Sequence, residues 1–175
     1  LTKLNEDAHF ESLQGQEINL NADEIVFKNT DGQIVNLPGV IGGNNSKCKM
    51  DTNSVLIECA HFNPDKIIGK NIKYGTNSDA AYRFERGVDI NLQEDVLRRI
   101  IYIISDHVDI KKINIATHDF EIKKNKKINF NIYDINKVLG INIDEKKALS
   151  IFDNLGFYIN DINEIIVPSW RNDIS

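Results

Sequence analysis

Cysteine, methionine, tryptophan and proline are scarce: the 175 residues hold 2 Cys, 1 Met, 1 Trp and 3 Pro. Cys48 and Cys59 have no metal-ligand spacing, and two thiols build no disulfide framework. Disulfide-stapled and zinc-ribbon classes are excluded on that ground. No signal peptide is visible, and with so little cysteine the chain fits a reducing compartment, the cytoplasm. No apolar run approaches the roughly 20 residues a membrane span requires. Positive charge is not in excess either: 21 Lys+Arg stand against 26 Asp+Glu, a net charge of -5. Nucleic-acid affinity rests on clustered cations, so a general DNA or RNA binder finds no support. Contact with the end of an RNA presented by another domain stays open. There is no internal repeat. The first residue is Leu1 rather than Met, so the chain is expected to be cut from a longer polypeptide. What remains, 41% hydrophobic and 27% charged, is an ordinary globular composition, long enough for one domain or two small ones.

Glu24 to Lys28 and Gln33 to Leu37 flank Asn29-Thr30-Asp31-Gly32. Asp-Gly between β-branched runs predicts a hairpin, because glycine accepts the positive φ of the turn. That hairpin delivers Gly39-Val40-Ile41-Gly42-Gly43, where the lack of side chains allows close approach of backbone or ligand. Residues 44–53 read as loop. Ser54 to Ala60 is a short apolar run of buried-strand length, with Glu58 near its end. Asn63-Pro64 predicts a helix start and Gly75 its stop, near Tyr74. Ser78 to Asp89 adds small residues and paired charges. The glycine turn, the Glu58 run and this segment read as three walls of one pocket. Residues 91–108 carry Leu92, Val96, Leu97, Ile100, Ile101, Ile104 and Val108 at helical spacing, which predicts an amphipathic packing helix.

The stretch from Lys111 to Lys127 holds Lys111, Lys112, Lys123, Lys124, Lys126 and Lys127 and little apolar bulk. It reads as a solvated linker, with RNA-phosphate contact as the alternative. It sets the expected division into domains 1–118 and 119–175. The second unit should run strand (128–132), short helix (133–139, ended by Gly140), helix from an Asp144 cap to Leu155, then strands 157–159 and 165–167 around residues 161–164. That order resembles a winged-helix-like module.

Five linked motifs carry a family resemblance over nearly the whole chain. Gly39 to Gly43, Val55 to Glu58 and Tyr82-Arg83-Phe84-Glu85-Arg86-Gly87-Val88-Asp89 resemble the B3/B4 editing domain of the bacterial phenylalanyl-tRNA synthetase beta subunit. Leu139-Gly140 with Leu155-Gly156-Phe157, and Val167-Pro168-Ser169-Trp170-Arg171-Asn172-Asp173-Ile174, are similar to the B5 domain that follows it. The resemblance implies an α+β fold: a mixed β-sheet with packed helices, partial at its N-terminal side, then the small winged-helix-like α/β module. It implies an alpha2beta2 heterotetramer with the alpha subunit, which charges tRNA(Phe) using ATP and magnesium at a site on the alpha subunit. No membrane or DNA partner is implied, and no cofactor is expected in this stretch. Nothing here resembles the ATP-binding motifs of a synthetase.

The activity so implied is removal of tyrosine attached in error. Tyrosine differs from phenylalanine by one hydroxyl, which a hydrophobic synthetic pocket rejects poorly. A second site can reverse the test by offering the hydroxyl a partner, since phenylalanine would leave a buried carboxylate unpaired at a cost on the order of a few kcal/mol. Glu58 matches the group that reads the phenol; an ordinary strand-end salt bridge is the plain alternative. Gly42 and Gly43 match the turn that admits substrate, and a tight turn needs them equally. Ala80 matches a small residue that leaves room for the ring, or packs a helix. Ser78 stands where the family usually has Thr, keeping the hydroxyl and losing a methyl. The family's upstream His-Ala-Phe-Asp stretch has no counterpart, and His9, His61, His107 and His118 do not replace it. No Ser/His/Asp arrangement is readable and no catalytic residue is assigned, so substrate and water would be positioned rather than attacked by a side chain. Arg83, Glu85 and Arg86 read as structural ion pairs, with contact to the tRNA end as the alternative. Asp173 matches one of several magnesium-binding carboxylates; alone it should hold no metal, because magnesium wants several oxygen ligands in an octahedron. The competing reading of the chain is a non-catalytic scaffold or tRNA-binding unit supporting assembly.

Overall fold

A computed structural model describes residues 1–118, 125–160 and 164–174. Lys123, Lys124 and the expected turn at 161–163 lie outside the described residues, as does the start of the second expected domain at 119. By spatial clustering the chain divides into two compact units, 1–88 with 93–99 and 89–92 with 100–175.

The first unit is built of short antiparallel strands. They are β1 (Thr2–Lys3), β2 (Ala8–Glu11), β3 (Glu17–Leu20), β4 (Ile25–Lys28), β5 (Ile34–Leu37) and β6 (Ile41–Gly42). Four of them form a sheet in the order β1-β4-β5-β6, while β2 and β3 form a ribbon of their own. The connections are short, and a turn of a few residues can join only antiparallel neighbours. The predicted hairpin is present, with Phe27 opposite Asn36, Lys28 opposite Ile34 and a bulge between them. Asn29 makes the turn: its Oδ1 accepts from the backbone of Asp31 at 3.1 Å and Gln33 at 2.9 Å, and Gly32 takes φ +80°. Alternation places Ile18 and Leu20 inside and Glu17 and Asn19 outside. With Leu4, Phe10, Val26, Leu37, Val40, Ile67, Tyr74 and Ala81 they make the core.

Two expectations need correcting. Ser54 to Ala60 forms no strand: Leu56 is 97% exposed and Val55 54%. No described strand pairs with this run, and an apolar sequence without a hydrogen-bonding edge beside it has no ladder to join. The helix expected from Pro64 to Tyr74 is broken in two, a 3-10 turn over Pro64–Lys66 and α1 over Lys70–Tyr74. Gly69 takes φ +77° between them, a left-handed conformation that ends one segment before the other starts. Both predicted end signals hold. Asn63 Oδ1 accepts from Asp65 N at 2.9 Å, and Gly75 closes α1 at φ +62°.

Helix α2 (Asp79–Phe84) follows, then α3 (Gln93–Ser105), where the apolar spacing places it. The α3 face is only half covered: Leu97, Ile100, Ile101 and Ile104 are half-buried, while Val96 is exposed.

The second unit runs β7 (Lys127–Asn129), α4 (Ile132–Leu139), α5 (Glu145–Asn154), β8 (Tyr158–Ile159) and β9 (Glu164–Ile166), with sheet order β7-β9-β8. This is the predicted order of strand, helix, helix, strand, strand. Asn131 and Asp144 cap α4 and α5 through their side-chain oxygens, and Gly140 ends α4 at φ +71°. Phe157, Ile165 and Val167 are its buried centre, with Phe152 edge-on to Phe157 at 5.5 Å and to Phe130 at 6.1 Å between ring centroids. The α+β architecture is as expected. Among the described residues no helix is long and apolar enough to cross a membrane.

Candidate functional site

The glycine turn sits where β5 leaves the sheet and β6 returns to it. Val40 N donates to Leu37 O at 3.0 Å to close the turn, with Gly39 at φ +69°. A Cβ on Gly39 would lie 2.8 Å from Ile67 Cδ1 and 2.9 Å from Phe62 Cδ2, so only glycine lets the turn rest on that wall. Phe62 in turn packs edge-on against Phe84 of α2, 4.9 Å between centroids. Gly42 and Gly43 then differ. Gly43 N donates to Val35 O at 2.8 Å, and a Cβ there would strike Asn45 Oδ1 at 2.7 Å and Phe10 Cε2 at 3.0 Å. A Cβ on Gly42 would meet nothing within 4 Å, although its carbonyl accepts from Leu13 N at 2.8 Å. Gly43 is therefore fixed by packing, whereas Gly42 presents an open side-chain face.

Two contacts bring the other expected positions to this turn. Ser78 caps α2, accepting from Ala81 N at 3.3 Å, and its hydroxyl donates to Val40 O inside the turn. The hydroxyl that the resemblance singled out thus ties α2 to the glycine turn. Asn36 of β5, opposite Gly42 in the sheet, donates from Nδ2 to Glu58 Oε2 at 3.4 Å. Glu58 reaches the same edge through that amide, although it lies on irregular chain and not on a strand. Ala80 is exposed in the first turn of α2; the packing alanine of that helix is its neighbour Ala81, which is fully buried.

The electrostatics at Glu58 follow from crowding. Desolvation pushes its carboxyl above the usual glutamate value. Much of the residue nevertheless faces solvent. Burial, with the charge of Glu58 beside it, also pushes the Cys59 thiol up, which leaves it a poor nucleophile. Of the paired charges after α2, Arg86 bonds Glu85 and its guanidinium lies 3.6 Å from the Tyr82 ring centroid. That is the expected structural pairing for Glu85 and Arg86, while Arg83 makes no ion pair among the described residues.

Two residue sets escaped the sequence reading. Asn36 interrupts an otherwise apolar Ile34-Val35-Asn36-Leu37 strand, and a polar residue at a half-buried strand position was the available signal. The other set is buried Glu24. It accepts from Lys70 and Tyr74, and from Lys73 at 3.5 Å. No local pattern foretells that set, because its members lie 46 to 50 residues apart. Two grooves of about 450 and 520 Å³ open on this unit, one beside His9 and Lys28 and one beside Glu24 and Lys70. Neither includes Gly42, Glu58, Ser78 or Ala80.

The model of the B3/4 domain family matches residues 1–109. The chain belongs to that family. The model of the tRNA synthetase B5 domain matches residues 128–175. Among curated proteins the chain is similar to the phenylalanine–tRNA ligase beta subunit of Rickettsia felis, 32% identical over 98% of this chain and 21% of that protein. The protein of the same name from Vibrio cholerae is 31% identical over 97% of this chain and 22% of its own length. That from Rickettsia prowazekii is 30% identical over 98% and 21%. The chain thus spans about a fifth of the length of these relatives.

In the B5 domain the motif residues cluster. Gly156, at φ +79°, leaves space that a Cβ would take from Trp170, whose Cζ2 lies 2.9 Å from that position. Arg171 sits 5.6 Å from the Phe157 ring centroid and grips Asp173 with two bonds of 2.8 Å, Nε to Oδ1 and Nη2 to Oδ2. The guanidinium holds the Asp173 carboxyl at about 2, well below the usual carboxylate range. Both carboxylate oxygens of Asp173 are thereby bonded to Arg171. Among the described residues no group of three or more His, Cys, Asp or Glu gathers in a way that could hold a metal. The residues present do not form a magnesium site.

Proposed function

We propose that this chain is the editing part of a phenylalanine–tRNA ligase beta subunit, acting on tRNA(Phe) mischarged with tyrosine. The observation that carries the reading is the bond to the carboxylate of Glu58 from Asn36, the strand partner of Gly42, whose side-chain face is open. A carboxylate near a glycine whose side-chain face is open can accept a hydrogen bond from a donor such as a phenol. Gly43 and Ser78 brace this corner, and Ala80 offers no bulk against an aromatic ring. In the reaction, water oxygen bonds to the ester carbonyl carbon, the bond to the terminal ribose oxygen breaks, and a proton from the water ends on that oxygen. No side chain here is given the role of base. The chain would position ester and water.

The rest of the reading follows the relatives' name. The parent enzyme would be cytoplasmic and charge tRNA(Phe) with phenylalanine using ATP and magnesium. It would pair this subunit with an alpha subunit as alpha2beta2. We place the boundary between editing and B5 domains at 118/119, within the stretch between the matched spans.

A scaffold role is the second reading. It is favoured by the exposed apolar side chains of Tyr133, Val138 and Leu139 on α4, which a partner could cover. The test is hydrolysis of Tyr-tRNA(Phe) and Phe-tRNA(Phe) by the assembled enzyme, wild type against Glu58→Ala. Loss of the preference for the tyrosyl ester supports editing, and identical behaviour favours the scaffold.

A further inference from the structure

We infer that Asn36 is the positioning residue for the Glu58 carboxylate and so sets the preference for a hydroxyl-bearing aromatic side chain. This inference rests on the editing reading above. Its starting point is a mismatch of rigidity. Glu58 stands on chain with no strand or helix, so no backbone ladder fixes where its carboxylate points. Asn36 stands on β5, paired with Phe27 on one side and Gly42 on the other, and is the fixed reference nearest to it. Selective sites need their recognising group held by a rigid neighbour, because a carboxylate free to swing accepts water as readily as a phenol.

The chemistry of the amide completes the argument. An asparagine facing an ionised carboxylate must present its NH2 group, since its own oxygen would be repelled. The contact is to Oε2 alone, at 3.4 Å, long for such a bond. It aims the carboxylate without saturating it and leaves Oε1 for a ligand. Asn36 is also the strand partner of Gly42, whose side-chain face is open, so the residue that bonds Glu58 is fixed next to the glycine turn.

The experiment is steady-state hydrolysis of Tyr-tRNA(Phe) and Phe-tRNA(Phe) by the assembled enzyme carrying wild-type, Asn36→Ala, Asn36→Asp or Glu58→Ala beta subunit, across a range of pH. Loss of one aiming hydrogen bond should lower the tyrosyl-over-phenylalanyl ratio of kcat/KM about tenfold in Asn36→Ala, through KM for the tyrosyl ester, with kcat little changed. Asn36→Asp keeps the volume but sets a second carboxylate beside Glu58, so the pH at which selectivity is lost should move upward. An unmoved profile would mean that residue 36 does not lie against the Glu58 carboxylate. If Asn36→Ala keeps the wild-type ratio while Glu58→Ala loses it, Asn36 is no positioning residue and the pocket reading stands. If Glu58→Ala itself keeps the ratio, the pocket reading falls and this inference with it. Should Asn36→Ala fail to fold, an unmoved pH profile in Asn36→Asp overturns the inference by itself.

Discussion

Glu24→Gln should destabilise the B3/4 unit by about 3 kcal/mol at pH 7. Glu24 is 8% exposed, and four donors converge on its carboxylate: Lys70 Nζ, the Tyr74 hydroxyl, Lys73 Nζ and its neighbour's backbone, Ile25 N, at 3.2 Å. Glutamine keeps the volume but offers one oxygen, and its NH2 group must face a donor. A charge-assisted bond to a buried group contributes about 1.5–3 kcal/mol. Lys73 is half exposed at 3.5 Å and adds little, since it can rehydrate. Lys70, at 15% exposure, cannot rehydrate so easily and is left a charge without its partner. Breaking a buried pair this way costs about 3–5 kcal/mol, and the partial exposure of the lysines places the expectation at the low end.

The pH dependence provides a second, independent check. Burial alone would push the Glu24 carboxyl up, but the bonds from Lys70 and Tyr74 outweigh it and the net shift is downward. A carboxylate whose folded value is depressed adds stability above its unfolded value of about 4.3, and that stability is lost as pH falls through the lower folded value. The gap between wild type and Glu24→Gln should be constant from pH 6 to 8 and shrink below about pH 4. Urea unfolding followed by far-UV circular dichroism measures it. Trp170, the single tryptophan, lies in the B5 unit, so its fluorescence reports the other unit and serves as an internal control. A loss below about 1 kcal/mol at neutral pH would mean that the lysines rehydrate freely. A gap that persists into acid would mean that the charge of Glu24 is not what stabilises the unit.

Gly43→Ala should cost about 1–3 kcal/mol through its clash with Phe10 and Asn45, while Gly42→Ala, with open space before it, should change stability by under about 0.5 kcal/mol; parallel urea titrations decide, and equal losses would refute the distinction. Ser78→Ala removes both the α2 cap and the bond to Val40, a loss of at least about 1 kcal/mol by thermal unfolding, whereas Ser78→Thr keeps both and should restore most of it. In Arg171→Ala the Asp173 carboxyl, now at about 2, should titrate close to an ordinary aspartate, as read by carbon-13 NMR; an unmoved value would show that the guanidinium is not the cause.

Much of this architecture was legible because it is local. A turn, a cap and a helix stop are each set within a few residues, so Asn29 to Gly32, Asn63, Gly75, Gly140 and Asp144 appear where the sequence places them, whereas the strand expected over 128–132 ends at Asn129 and Asn131 caps α4 instead. Gly69 is the exception that explains itself. A glycine inside a helical pattern can be tolerated or can terminate it, and only the left-handed φ it adopts decides between the two. Ser54 to Ala60 misled for a different reason. An apolar run records that something should cover it, not that a sheet edge is there to do so. The expected site was half legible. The motifs singled out Glu58, Gly42 and Ser78, but not the bonds that relate them: an amide from β5 to Glu58 and a hydroxyl from α2 to the carbonyl of Val40. These bonds span 22 and 38 residues of chain, beyond any periodicity a sequence can display. They change how the corner is understood. Glu58 is carried by irregular chain and bonded from a strand, so on the proposed reading the selectivity of the corner would depend on the sheet that holds Asn36 as much as on Glu58 itself.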